Sequence, residues 1–284
     1  TPTGSANTVV KSSGGILTFY NATGSFKGAT YESDDGSAST GAIRWTGPEV
    51  LTWTGAISTD WYTAGNWSSN LGGNGVPNAT KDVIIATNGA NRNPTIDGSG
   101  GAAITKGLTI NNTMILTIST GAGTGDLVIN GLLQVDGELK TISNNDYIEC
   151  AGSFIKSAGG TANITFGTVT FTGTGALTLT NAGTFNNLVL NNSGLTLSLG
   201  SAIVVNGDFN ITAGSLDVTS NYYGITLKGN YSNAGTFNAR TNNGSTATVT
   251  FNPSGAGPYT INSGASSFNR ITFNGIASTT FSLT

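Results

Sequence analysis

Apolar and polar residues alternate with period two along most of this chain. Val169 and Phe171 stand between Thr168, Thr170 and Thr172; Leu177 and Leu179 alternate with Thr178 and Thr180; Leu195, Leu197 and Leu199 alternate with Thr196 and Ser198. Such alternation predicts β-strands with one buried and one wetted face. Asn, Gly and Ser clusters separate the runs, as in Asn191-Asn192-Ser193-Gly194, Asn206-Gly207-Asp208 and Asn242-Asn243-Gly244-Ser245. These residues tolerate turn geometry. No stretch carries a convincing helical period. The alternation further predicts that Val169, Phe171, Leu188, Leu190, Ile203, Val205, Leu227, Val249 and Phe251 point inward and stack in rows.

The pattern also repeats at long range. Thr168-Val169-Thr170-Phe171 returns as Thr248-Val249-Thr250-Phe251, a shift of 80 residues. Gly107-Leu108-Thr109-Ile110 matches Asn187-Leu188-Val189-Leu190 at the same shift, and Leu127-Val128-Ile129-Asn130-Gly131 matches Ile203-Val204-Val205-Asn206-Gly207 at 76. Fixed-period self-similarity points to a stacked array. The predicted fold is all-β, a parallel β-helix (β-solenoid) built from ~80-residue repeats of about four rungs each. Three regions are expected. Residues 1–48 form an N-terminal β segment, the tail of a preceding module or a separate small unit. Residues 49–100 hold three of the four tryptophans and form an entry and capping region. Residues 101–284 form the repeats, cut off at the C-terminus inside a strand-like pattern.

Composition narrows the function. Of 284 residues only 9% are charged, the net charge is −3 and 37% are hydrophobic, which disfavours disorder. Between Thr161 and Thr284 the charged side chains are Asp208, Asp217, Lys228, Arg240 and Arg270, so hydroxyls and amides carry the surface. No basic patch invites nucleic acid, and no apolar run is long enough to span a membrane as a helix. Cys150 is the sole cysteine, expected as a buried thiol.

Histidine is absent, which removes Ser-His-Asp and Cys-His chemistry and histidine metal sites. Paired carboxylates are the surviving common chemistry. The pairs are Asp34 with Asp35, Asp136 with Glu138, which would share a strand face, and Asp146 with Glu149; a solvated face or a turn is the expected setting for each. Asp34-Asp35-Gly36 has calcium-type ligands, but the repeated Gly-Gly-x-Gly-x-Asp roll is missing. No cofactor or metal is expected. The threonine file at Thr168, Thr170 and Thr172 would suit an ice-binding plane only if every rung carried it. Trp53, Trp61, Tyr62 and Trp67, with Trp45, are candidate glycan contacts because such rings stack on sugars; the competing expectation is that they plug the first rungs, since solenoid ends must be capped.

The stretch from Thr52-Trp53-Thr54-Gly55 to Asp60-Trp61, continuing through Asn66-Trp67-Ser68, Val76-Pro77 and Asp82-Val83-Ile84-Ile85, resembles the opening motif of repetitive β-helical secreted surface proteins of Bacteroidota. The run Asn206-Gly207-Asp208-Phe209 to Asn233-Ala234-Gly235-Thr236-Phe237 is similar to the repeat of that family. The likeness covers roughly residues 50 to 284. It implies a cell-surface adhesin or filament protein exported by the type IX route. The type IX sorting domain of that family is not visible, and the chain starts at Thr1, so a segment of a longer protein is expected. The function expected is a rigid extracellular stalk, filament subunit or adhesin shaft, not an enzyme. Its expected partners are further copies or the rest of a parent chain, with surface glycans as a further candidate. Two alternatives are a carbohydrate-binding adhesin module and a polysaccharide-degrading β-helix enzyme.

Overall fold

The computed structural model describes residues 17–19, 43–45, 49–70, 74–87, 89, 92–120, 126–239 and 247–284. It contains two units, Thr1–Glu49 and Val50–Thr284. The first unit contributes one parallel pair, Leu17–Phe19 with Ile43–Trp45. Asp34, Asp35 and the Trp45 side chain lie outside the described residues.

The second unit is a parallel β-solenoid of about eight turns. Its strands form three ladders, visited in the order first, second, third. The first ladder runs Val50–Trp53, Asp82–Ile85, Gly107–Ile110, Leu133–Val135, Phe154–Lys156 and Gly175–Thr180, and on to Thr236–Asn238. The second holds Thr95–Ile96, Ile115–Ile118 and Glu138–Thr141, then Ile203–Val205, Ile225–Leu227, Thr248–Phe251 and Arg270–Phe273. The third begins at Ala103–Thr105, Leu127–Ile129 and Tyr147–Cys150 and ends at Tyr231–Asn233, Tyr259–Asn262 and Phe281–Leu283. Midway the corners tighten, so Thr184–Leu199 bends through all three ladders as one strand.

Parallel pairing in register stacks like positions. One inward row on the third ladder reads Ala103, Leu127, Ile148, Val169, Leu188, Phe209, Tyr231, Ile261 and Leu283. A second-ladder row reads Phe185, Val205, Leu227, Phe251 and Phe273. All nine residues predicted to point inward are buried. The helical content of the described residues is one three-residue 3-10 turn, Ala64–Asn66.

The rung is mostly longer, and less regular, than a quarter of the sequence period. Successive residues of the third-ladder row are 21 apart from Leu127 to Val169, 19 apart to Leu188, and 30 apart from Tyr231 to Ile261. The matched segments also lie on different ladders. Gly107–Ile110 is on the first and its match 187–190 on the third; 168–171 is on the third and Thr248–Phe251 on the second; Leu127–Ile129 is on the third and Ile203–Val205 on the second. Each match spans eleven successive ladder positions, or three and two-thirds turns. The self-similarity therefore records like strand-and-turn units. It does not count whole rungs. Every unit solves the same problem, an alternating strand ending in a corner, whichever face it occupies.

Two corner devices hold the rungs together. Asn187 Oδ1 accepts the Asp208 N–H, Asp208 Oδ1 accepts the Asn230 N–H, and Asn230 Oδ1 accepts the Thr260 N–H, each at 2.9 Å. The side chain on each rung thus satisfies a backbone donor on the next. At another corner a Cβ on Gly152 would lie 2.1 Å from Gly131 O, and one on Gly173 would lie 1.9 Å from Ala151 O. Glycine is required there by the approach of the neighbouring backbone.

Candidate functional site

The most heavily built part of the coil is its first turn. Trp53 comes from the strand Val50–Trp53, and Trp67 from Trp67–Ser69, which pairs antiparallel with it through Trp53↔Trp67 and Leu51↔Ser69. This is the one antiparallel pairing among the described strands, and the alternating pattern gave no sign of it. Trp67 packs edge-to-face on Trp53 at 4.9 Å and on Trp61 at 4.7 Å between ring centroids. Trp53 Nε1 donates to Arg92 O and Trp67 Nε1 to Trp61 O, both at 2.8 Å, while Trp61 Nε1 is buried without a partner.

Asn66 organises the loop around this cluster. Its Oδ1 accepts the N–H groups of Ile57 and Ser58, and its Nδ2 donates to Ser58 Oγ and Asp60 O. The side chain is fully buried and uses both ends of its amide. Arg92 Nη1 donates to Gly55 O and Ala56 O. The Thr95 N–H donates to Thr59 O and the Trp61 N–H to Thr95 O, which covers the lower edge of the second ladder.

Three of the four candidate glycan contacts lie in the core. Trp53, Trp61 and Trp67 are 1%, 0% and 2% exposed. The rings have no free face for a sugar, because filling the end of the coil gains more than exposing indole to water. Tyr62 is half-buried and its ring lies against Gly100, where a Cβ would meet ring carbon at 2.3 Å. Its hydroxyl donates to Gly101 O. Burial, reinforced by the charges of Asp97, Asp126 and Asp60, pushes its pKa up to about 12. Sequence reasoning missed Asn66 and Arg92. Their signal was weak, a lone Asn before Trp67 and an Arg in a polar run, and the contacts reach across up to 39 residues.

The carboxylates are dispersed. Asp136 and Glu138 do not share a strand as expected: Gly137 turns the chain between Leu133–Val135 on the first ladder and Glu138–Thr141 on the second. Asp136 Oδ1 accepts from Gln134 Nε2 at 2.6 Å, and Glu138 Oε1 from Asn163 Nδ2 at 3.3 Å. Asp146 is 1% exposed, with Oδ2 accepting the Ile142 and Ser143 N–H groups and Oδ1 the Thr120 N–H, so it braces a corner. Glu149 accepts from Thr172 Oγ1 at 2.9 Å. Among the described residues no group of three or more Cys, Asp and Glu side chains is placed to hold a metal ion.

Cys150 is fully buried in an inward row between Ile129 and Phe171, and burial pushes its thiol pKa up to about 12. Thr170 does not belong to a threonine file, since its ladder neighbours are Glu149 and Val189. A shallow recess lies between Lys156, Ala158, Asn181, Gly183, Ser201 and Ala202. Its lysine Nζ already donates to Ser157 O and Gly160 O at 3.0 Å. No helix of the described residues is long and apolar enough to cross a membrane.

A family described as a domain of unknown function (DUF8693) matches residues 52–165, less than half of the chain. The match takes in the tryptophan-lined first turn and the early rungs. No curated protein and no solved structure matches the chain.

Proposed function

We propose that this chain is a structural module of an extracellular surface protein, a rigid stalk, filament segment or adhesin shaft. The observation that carries the reading is the set of in-register apolar rows running through the described turns on three ladders. Such stacking makes a stiff rod whose stability is summed rung by rung. The outward surface, dominated by Thr, Ser and Asn, suits a spacer exposed to water. The buried tryptophans withdraw the feature that favoured glycan binding, and the separation of Asp136 from Glu138 withdraws the best acid pair for hydrolysis. The resemblance to secreted β-helical surface proteins supports the location. Immunogold electron microscopy of the producing cells tests it. Label on surface projections is expected; label confined to the cell interior overturns the reading.

A further inference from the structure

The corner between the first and second ladders changes length along the coil. It takes four residues after Lys156, three at 181–183, three at 200–202 and seven at 218–224. The two short corners carry no projecting loop, and a recess of about 330 Å³ opens beside them, lined by Lys156, Ala158, Asn181, Gly183, Ser201 and Ala202. That volume lies at the small end of ordinary ligand sites. The recess sits in the middle of the coil, with paired strands on the rungs before and after it. Its polar groups are held in place. Lys156 Nζ donates to Ser157 O and Gly160 O of its own turn, at 3.0 Å each, and an ammonium with two donors engaged has a third left. The Asn181 N–H donates to Ser201 Oγ at 2.8 Å, so the Ser201 hydroxyl proton remains for another acceptor. Asn181 stands at φ 53, a left-handed conformation that asparagine tolerates, and is exposed. Among the described lining residues Lys156 alone is charged.

We propose that this recess binds a carboxylated sugar of a polysaccharide. The carboxylate takes the third N–H of the Lys156 ammonium. Ring hydroxyls exchange hydrogen bonds with the Asn181 amide and the Ser201 hydroxyl, and the C–H face of the ring rests on the methyl groups of Ala158 and Ala202. A charge-assisted hydrogen bond is roughly twice as strong as a neutral one, so the carboxylate decides which sugars bind. A peptide fits less well. Extended peptides are captured at a free strand edge and helical ones in an apolar groove, and here the strands on both sides of the recess are already paired. A few hydrogen bonds in an open recess make a weak site, with Kd on the order of 1 mM. The site goes beyond the rod reading and does not depend on where the rod stands, so its test and the immunogold test fail separately.

NMR titration of the folded 284-residue chain tests it. The probes are a glucuronate-containing tetrasaccharide, the same tetrasaccharide with its carboxyl groups reduced to alcohols, and acetate. The acidic tetrasaccharide should shift the amides of Lys156, Asn181 and Ser201 and bind about tenfold more tightly than the reduced one. Acetate, which lacks the ring contacts, should bind more weakly than the acidic tetrasaccharide. Lys156→Ala should lower affinity for that tetrasaccharide about tenfold. Asn181→Gly keeps the left-handed backbone and leaves the lysine turn alone, and should lower it about threefold. Lys228→Ala, which removes a lysine outside the recess lining, should change nothing. No shifts at the recess with any probe, equal affinity for the acidic and reduced tetrasaccharides, acetate matching the acidic tetrasaccharide, Asn181→Gly without effect, or equal losses from Lys156→Ala and Lys228→Ala would each overturn the proposal.

Discussion

The first turn and the last described turn of this coil are built from the same alternating strands but differ in how far their side chains are buried. At the first turn three indoles, a buried amide and an arginine close the end, and each strand edge of the first and second ladders meets backbone. In the last described turn Ile271, Phe273, Ile276 and Leu283 are between 38% and 70% exposed. The contrast shows that propagation and termination are separate problems. Propagation needs only alternation and a corner. Termination needs side chains that fill the triangular opening and satisfy the donors left over.

Unequal removal of large side chains sharpens this contrast most. Trp67→Ala empties a site touched by two other indoles and should destabilise by about 3–5 kcal/mol. Phe273→Ala removes a ring already near half in water, so the expected loss is about 1 kcal/mol. Urea denaturation of both variants measures the difference, and equal losses would break the distinction between the ends.

The middle of the coil tests propagation. Gly152→Ala forces a methyl against Gly131 O, and the backbone must part to admit it. A cost of about 1–3 kcal/mol is expected. Gly89→Ala, where a Cβ meets nothing within 4 Å, should stay within about 0.5 kcal/mol of the parent.

Termination also depends on Asn66. Asn66→Ala leaves the Ile57 and Ser58 N–H groups without their acceptor and should cost about 1–3 kcal/mol. The variant should also increase proteolysis within residues 54–66 while cleavage near 260–284 stays unchanged.

The smallest expected effect is electrostatic. Tyr62 titrates near 10 when unfolded and near 12 when folded, so the unfolded state loses its proton first. Stability from this group is complete below pH 10 and declines as pH rises from 10 to 12. Tyr62→Phe should flatten that part of the stability profile. Cys150, raised from 9 to about 12, acts in the same direction from pH 9 upward. It resides in the interior, so Tyr62→Phe leaves its contribution intact.

Alternation alone makes the inward rows legible in the sequence, because a strand has only two faces and one must leave water. Val169, Phe171, Val249 and Phe251 needed nothing more. Ladder membership was hidden. A third-ladder strand and a second-ladder strand share one sequence grammar, so the 80-residue match could not tell which face each occupied. The first turn was the least legible. Its tryptophans were visible, yet whether indole faces sugar or core depends on partners such as Arg92, 39 residues from the Trp53 ring that donates to it. The acid pair misled because Gly137 places a corner where the spacing of Asp136 and Glu138 suggested one strand.

Hydrogen exchange of backbone amides, read residue by residue in dilute solution, tests the closed and open ends most directly. The account predicts that amides of 50–53 and 95–96 exchange only through global or near-global unfolding, while those of Ile271 and Phe273 exchange orders of magnitude faster. Comparable protection at both sites, or slower exchange at 270–273 than at 50–53, would contradict it.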